Sequence, residues 1–144
     1  MIEQDTVKLL RECDAGVKMG VSSIDDVLPR VRDEEMKKRL EFFREEHVKL
    51  DRGLQAHLEN CHDEGKDPNP VAQGMSWVKT NMKLAMENSD ATIASLMTDG
   101  CNMGVKSLNR YLNQYEAADG TAKSIARHLI GIEEKMAVDM RRFL

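Results

Sequence analysis

The chain has few aromatic residues, prolines and cysteines, and it has no long apolar run. Aromatic residues make up 4% of the 144 residues and there are three prolines, a balance that favours helices over sheets. Cys13, Cys61 and Cys101 stand far apart, which suits reduced thiols better than a disulfide framework. These shortages predict an all-α protein without disulfide bridges.

The sequence also lacks an excess of basic residues and a membrane-spanning segment. The net charge is −4, with Lys and Arg scattered among Asp and Glu, so nucleic acid is not an expected partner. No apolar run approaches the roughly 20 residues of a membrane span, and residues 1–5 show no leader pattern. We therefore expect a cytoplasmic protein that has no contact with a membrane.

Apolar residues recur at helical spacing in four long segments. The first segment breaks at Pro29, and Asp33 is the predicted N-cap of the second. Ser89 or Asp90 is expected to cap the third helix, and Thr121 is expected to open the fourth. The pattern predicts a four-helix bundle.

We interpret residues 1–144 as one domain. A chain of this length can form a stable hydrophobic core without disulfide bridges or a structural metal. It is divided into hairpin one (5–63), a crossover (64–89) and hairpin two (90–144). The crossover contains prolines at its start and is predicted to include a short amphipathic helix around Trp77.

The two hairpins share identical residues at a constant offset of 84 positions. Six of thirteen positions agree between residues 16–28 and residues 100–112. This agreement predicts duplicated helix pairs that bury their apolar faces against each other. The matching residues are Gly16, Met19, Gly20, Val21, Ser23 and Leu28, followed by Gly100, Met103, Gly104, Val105, Ser107 and Leu112.

Four features then occur in a fixed order: helix starts centred on glycine, a crossover tryptophan, a tyrosine pair and the hairpin duplication. In this order they resemble the ferritin-like superfamily, in particular small bacterial tandem-hairpin domains of unknown function related to general-stress proteins. The resemblance covers nearly the whole chain. The residues concerned are Asp14, Ala15 and Gly16, Asp99 and Gly100, Trp77, Val78 and Lys79, and Tyr111 and Tyr115.

Ferritin-like proteins that handle iron carry one inward Glu on the first helix of each hairpin. The resemblance implies that the corresponding position on helix one is Val17 or Gly20. On helix three the position is Cys101 or Gly104. None of these residues is a carboxylate, so the usual ligands are missing from both helices.

The second helix of each hairpin in such proteins carries a Glu-x-x-His motif, whose two side chains share one helix face. Here the motif is reduced to Arg44-x-x-His47 in one hairpin and Glu133-x-x-Met136 in the other. A guanidinium fixed near the site would also disfavour a divalent ion. We therefore expect that the di-iron or di-manganese centre has been lost.

The remaining candidate residues have alternative interpretations. His47 is either a neutral core histidine bonded to a facing group such as Glu133, or a remnant metal ligand. The cysteines and methionines are core filler or soft ligands. If a metal is bound, its candidate ligands are His47, Glu133, Cys101, Cys13 and Met136.

Gly20 and Gly104 occupy equivalent positions inside helices, where a glycine costs about 1 kcal/mol relative to alanine. Close approach of the two helices would explain them. The alternative is a small cavity for a ligand or for a large opposing side chain. In the ligand case the pocket would be lined by Gly20, Gly104, Val17 and Cys101.

The functional hypothesis is a non-catalytic ferritin-like bundle with an interaction or stress-protective role, which forms a homodimer through its crossover. No catalytic residue and no cofactor is expected, because no nucleophile has a plausible base beside it. One alternative is a metal-binding or redox protein that uses iron or another transition metal with a changed ligand set. The other is a small-molecule carrier.

Overall fold

The computed structural model describes residues 2–63, 65, 81 and 89–144, and these residues form helices and no strand. The all-α class is therefore confirmed for this part of the chain, whereas the short helix predicted around Trp77 lies outside it. None of the described helices is long and apolar enough to cross a bilayer. The long helices are α1 (Ile2–Val27), α2 (Glu34–Asn60), α3 (Asp90–Gln114) and α4 (Gly120–Met140), and 3-10 helices follow at Leu28–Arg30 and Arg141–Phe143.

Side-chain caps set where α2, α3 and α4 begin. The predicted caps Asp33 and Ser89 are confirmed, and α4 starts one residue before Thr121 because Asp119 is its cap. Gly16 and Gly100 lie inside α1 and α3, so they do not mark helix starts. The cap oxygens accept from Met36 N–H at 2.9 Å, from Thr92 N–H at 3.2 Å and from Ala122 N–H at 2.8 Å.

Helices α1 and α4 begin at the same end of the bundle. The carboxylate of Asp5 accepts a hydrogen bond from Ala117 N–H at 3.0 Å, just before α4. One turn into α1, the hydroxyl of Thr6 accepts from Asp119 N–H at 2.8 Å. The two helices therefore run parallel to each other.

Helices α2 and α3 begin at the opposite end. The two carboxylate oxygens of Asp90, at the start of α3, accept from the N–H groups of Arg32 and Asp33, each at 2.9 Å. The four helices therefore run up, down, down and up. Helix α2 ends at one end of the bundle, and α3 begins at the other.

The antiparallel helices α2 and α4 are joined by three polar side-chain pairs along their length. One pair, His57 and Asp119, is partly buried, with Nε2 3.0 Å from the carboxylate. The other pairs are Arg39 with Asp139 at 3.0 Å and His47 with Glu133 at 2.9 Å.

The apolar positions predicted from the helical spacing form one core across all four helices. Helix α4 contributes most, since it contacts α1 and α2 as well as its hairpin partner α3. The largest fully buried side chains are Leu9, Leu10, Ile24, Met36, Leu40, Phe43, Leu54, Leu58, Ile93, Leu129, Met136 and Met140.

Helix α2 ends in a Schellman motif, in which His62 takes the left-handed conformation usually adopted by glycine. The φ angle of His62 is 57°. Its N–H donates to Glu59 O and the next N–H, of Asp63, donates to Leu58 O, both at 3.0 Å. Because a Cβ clashes with the backbone in this region, His62 strains the end of the helix.

We predict that His62→Gly stabilises the protein, because it removes that clash at an exposed position. The expected gain is about 0.5–1 kcal/mol, since glycine also loses more backbone entropy on folding. Urea unfolding measures the gain. The matched control is His62→Ala, which keeps the Cβ and should leave stability near that of the wild type; equal gains for both variants would contradict the explanation.

Candidate functional site

All four helices contribute a residue to one polar cluster in the centre of the bundle, here called the central cluster. His47 of α2 is fully buried and Glu133 of α4 is 8% exposed. Gly20 of α1 lies against the imidazole of His47, while Gly104 of α3 lies against the carboxyl of Glu133. Buried polar groups require partners, and here His47 and Glu133 are partners across two helices.

Both nitrogens of the His47 ring are engaged. Nδ1 is 2.7 Å from the carbonyl oxygen of Phe43, one turn earlier in α2, and Nε2 is 2.9 Å from Oε1 of Glu133. A carbonyl oxygen can only accept a hydrogen bond, so Nδ1 must carry a hydrogen. The hydrogen bond between His47 and Glu133 predicted from the sequence is therefore present.

One proton lies between Nε2 of His47 and Oε1 of Glu133, because two lone pairs at 2.9 Å would otherwise repel each other. The thiol of Cys101 also donates a hydrogen bond to Glu133. An ionised carboxylate can accept both hydrogens. The upward direction of the His47 pKa favours an imidazolium over the neutral core histidine, which was one of the two alternatives that the sequence left open.

The pKa of His47 reflects two opposing effects. Burial alone lowers it, because the interior disfavours the charged ring. The hydrogen bond and the charge of Glu133, followed by the bond to Phe43 O and the charge of Glu46, raise it. The net direction is upward from the ordinary value of 6.5, so the pair with Glu133 prevails over desolvation.

Cys101 completes the cluster as a neutral thiol. Burial is the first cause that raises its pKa, and the charge and hydrogen bond of Glu133 raise it further. Burial also raises the pKa of Cys13 to about 12, assisted by the charges of Glu12 and Asp14. Because the thiolate is the reactive form of cysteine, neither residue suits nucleophilic chemistry.

The two glycines accommodate the pair unequally. A Cβ added to Gly20 would lie 2.6 Å from Nε2 of His47, whereas a Cβ on Gly104 would lie 3.7 Å from Cδ of Glu133. The first distance is a clash and the second is an ordinary contact. Gly20 therefore makes room for a large opposing side chain, which is the alternative that the sequence left open.

The five candidate metal ligands are only partly brought together. His47, Glu133 and Cys101 lie in the cluster, and Met136 is buried one turn after Glu133 in α4. Cys13 instead lies beside Asp14 on α1. Within the described ranges, no group of three or more His, Cys, Asp or Glu side chains is arranged to hold a metal ion.

Arg44 does not point into the bundle as its place in the degraded motif suggested. Its Nε donates to Oδ1 of Asp25 at 2.6 Å and its Nη2 donates to Oδ2 at 3.2 Å. The side chain is 39% exposed. The guanidinium therefore bridges α1 and α2 at the surface and adds no charge to the central cluster.

A second polar cluster, which was not predicted from the sequence, lies between α1 and α2. Asp14 is fully buried, with Lys18 Nζ at 2.9 Å and Gln55 Nε2 at 2.7 Å. Burial raises the pKa of nearby Asp51, and the bond from Gln55 opposes this rise. The (i, i+4) spacing of Asp14 with Lys18 and of Asp51 with Gln55 was the available signal.

A groove of about 390 Å³ runs beside this second cluster. Val17, Val21 and Val48 line it together with the carboxylates of Asp25 and Asp51. Of the four residues predicted to form a pocket, Val17 lines this groove, whereas Gly20, Gly104 and Cys101 belong to the central cluster. A ligand pocket shared by all four stays a prediction.

No family model, no curated protein and no solved structure matches this chain. Its function is therefore inferred from the geometry of the bundle.

We predict opposite effects for the same substitution at the two glycines. Gly20→Ala should destabilise the protein by about 1–3 kcal/mol, because the imidazole is held by two bonds and cannot move aside without losing one. Gly104→Ala should be neutral or stabilise by up to about 1 kcal/mol, the helix-propensity gain of alanine. Urea unfolding compares them, and equal effects would contradict the packing described here.

Proposed function

We propose that this chain is a non-catalytic, ferritin-like bundle with an interaction or stress-protective role, in which the di-metal centre has been replaced by the His47–Glu133 pair. The directions of the four helices support the proposed relation to ferritin-like bundles. Two antiparallel hairpins whose connection leads from one end of the bundle to the other give the connectivity of ferritin-like folds. Fold alone does not define function, so the proposal depends on the central cluster.

The residues at the centre do not fit a di-metal site. Such a site uses four carboxylates and two imidazoles projecting inward from the four helices. Among the described residues, the central cluster offers one carboxylate, one imidazole and one thiol, and on α1 the residue against the imidazole is Gly20. One carboxylate cannot balance the charge of two divalent ions.

The observation that carries the proposal is that the polar groups of the cluster are hydrogen-bonded within the protein itself. Nε2 of His47 and Oε1 of Glu133 bond to each other at 2.9 Å, and Nδ1 of His47 bonds to Phe43 O. Coordination to a metal would require one of these nitrogens to give up both its hydrogen and its partner. An internal ion pair of this kind is better suited to a structural role in the bundle than to binding a ligand.

The two glycines support the proposed duplication. They are 84 residues apart in sequence, and each lies against one member of the same buried pair from the first helix of its own hairpin. A duplicated ancestor with equivalent central positions accounts for this arrangement. The facing residues are not at equivalent motif positions, since His47 aligns with Met136 and Glu133 with Arg44, and together they form a pair that neither hairpin contains alone.

An interaction role is supported by large apolar side chains on the surface. Phe42 of α2 is 55% exposed and packs edge-on against Phe43 at 5.2 Å, and Met103 of α3 is 50% exposed. Exposed aromatic and methionine side chains are typical of contact surfaces. A second copy of the chain is the partner that we expect, although the crossover, through which the sequence predicted the homodimer, lies outside the described residues.

Metal content and thermal shift test the proposal. Protein purified without chelator should contain much less than one metal ion per chain. Fe²⁺, Mn²⁺, Zn²⁺ and Cu⁺ added under reducing conditions should leave the melting temperature unchanged, because only binding to the folded state raises it. Cys61→Ser serves as a control for adventitious binding at the partly exposed thiol.

The alternative hypotheses make different predictions for the same preparations. A stoichiometric metal, or a shift that Cys61→Ser keeps and His47→Gln loses, would replace the proposal with a metal-binding or redox protein. A co-purified organic molecule seen by native mass spectrometry would favour a carrier. Sedimentation velocity tests the homodimer, and a monomer at all concentrations would remove it.

A further inference from the structure

The buried pair joins the two hairpins of the bundle. His47 belongs to α2 of the first hairpin and Glu133 to α4 of the second, and their contact at 2.9 Å lies in the core. The polar contacts at the helix ends are more exposed, such as the pair of His57 and Asp119. The central contact between the hairpins thus depends on one proton.

We propose that this proton makes the docking of the two hairpins pH-dependent, so that the bundle is most stable at mildly acidic to neutral pH and loosens as the pH rises. The inference concerns the pair itself and does not require a ferritin-like ancestry. It assigns a regulatory property to the buried cluster.

The geometry leaves no substitute for the lost proton. After deprotonation the ring keeps one hydrogen for two acceptors, Phe43 O and the carboxylate of Glu133, so the lone pair of one ring nitrogen would face an oxygen. Gly20 packs against this face of the ring and offers no polar side chain. One of the two ring contacts would change from attractive to repulsive inside the core, where such interactions are weakly screened.

The charged and titratable groups around His47 do not compensate. Glu46 on α2 and Glu133 on α4 are acidic, Cys101 on α3 is a neutral thiol, and Gly20 on α1 carries no charge. Among the described residues, the guanidinium one turn earlier in α2, that of Arg44, is paired with Asp25 at the surface. The imidazolium is therefore the cation of this cluster.

The sign of the effect follows from the direction of the His47 pKa, which is raised above 6.5 in the folded protein. Unfolding then releases a proton. The stabilisation is fully present below the unfolded value, near 6.5, and is lost as the pH rises through the folded pKa. Over that interval the folding equilibrium constant falls by up to about tenfold per pH unit.

Urea unfolding of the wild type between pH 6 and pH 8 tests the proposal. The range ends at pH 8 because the buried thiols of Cys13 and Cys101 would release protons on unfolding at higher pH. The urea midpoint should decrease steadily over this range. A midpoint that is constant or rises with pH would overturn the proposal.

Three glutamine variants locate the effect. His47→Gln removes the titrating group but keeps an amide that can reach Glu133, so its midpoint should be lower and nearly independent of pH. His57→Gln and His128→Gln, at a partly buried pair and at an exposed site, should keep the decrease seen for the wild type. Loss of the decrease in His57→Gln, with retention in His47→Gln, would contradict the assignment.

If His47→Gln does not fold, the NMR signals of the histidine rings in the wild type test the proposal instead. Proton NMR should show His47 Cε1–H titrating with a pKa above the ordinary histidine value of 6.5. A titration at or below 6.5 would show that the buried ring is neutral at physiological pH and would overturn the proposal.

Discussion

The hydrogen bond between His47 and Glu133 is the constraint to which the centre of the bundle is adjusted. Gly20 is needed because a Cβ would meet Nε2, and the thiol of Cys101 donates to the same carboxylate. Burying two charged groups costs several kcal/mol per ion, and their attraction offsets this loss only when the remaining hydrogen-bonding groups are satisfied. Phe43 O and Cys101 provide that satisfaction.

Such a pair specifies an arrangement more than it adds stability. Apolar residues of similar size often replace a buried ion pair without loss, whereas removal of one partner leaves a buried group unpaired. In this bundle a shift of α2 against α4 by one turn would separate His47 from Glu133. It would also separate Arg39 from Asp139 and His57 from Asp119, which lie along the same seam. We infer that the three pairs together fix the register of the hairpins.

Much of the fold could be predicted because helices have a regular period and recognisable ends. The apolar seams, the break near Pro29 and the caps Asp33 and Ser89 are local features that depend on a few neighbouring residues. The bond between His47 and Glu133 could also be predicted, since both residues lie on inward faces of facing helices. Periodicity gives the direction in which a residue points from the helix axis. This was sufficient to predict the apolar seams and the bond between His47 and Glu133.

The remaining features depend on side-chain torsions and on contacts between distant segments. Arg44 lies one turn from His47, but its long side chain turns outward to Asp25. The protonation of His47 depends on its burial, Glu133 and Phe43 O together, and no pattern of residue types contains that information. Similarly, Gly20 and Gly104 are equivalent in sequence, but only the clash distances show that Gly20 is the residue that cannot be replaced.

A double-mutant cycle on His47 and Glu133 tests most directly whether the pair is the central interaction of the bundle. The variants are His47→Leu, Glu133→Leu and the double variant, measured by urea unfolding at neutral pH. Each single variant should lose about 3–5 kcal/mol because it leaves its partner buried alone, and the double variant should recover much of that loss. Additive losses would show that the two side chains act independently and would contradict this account.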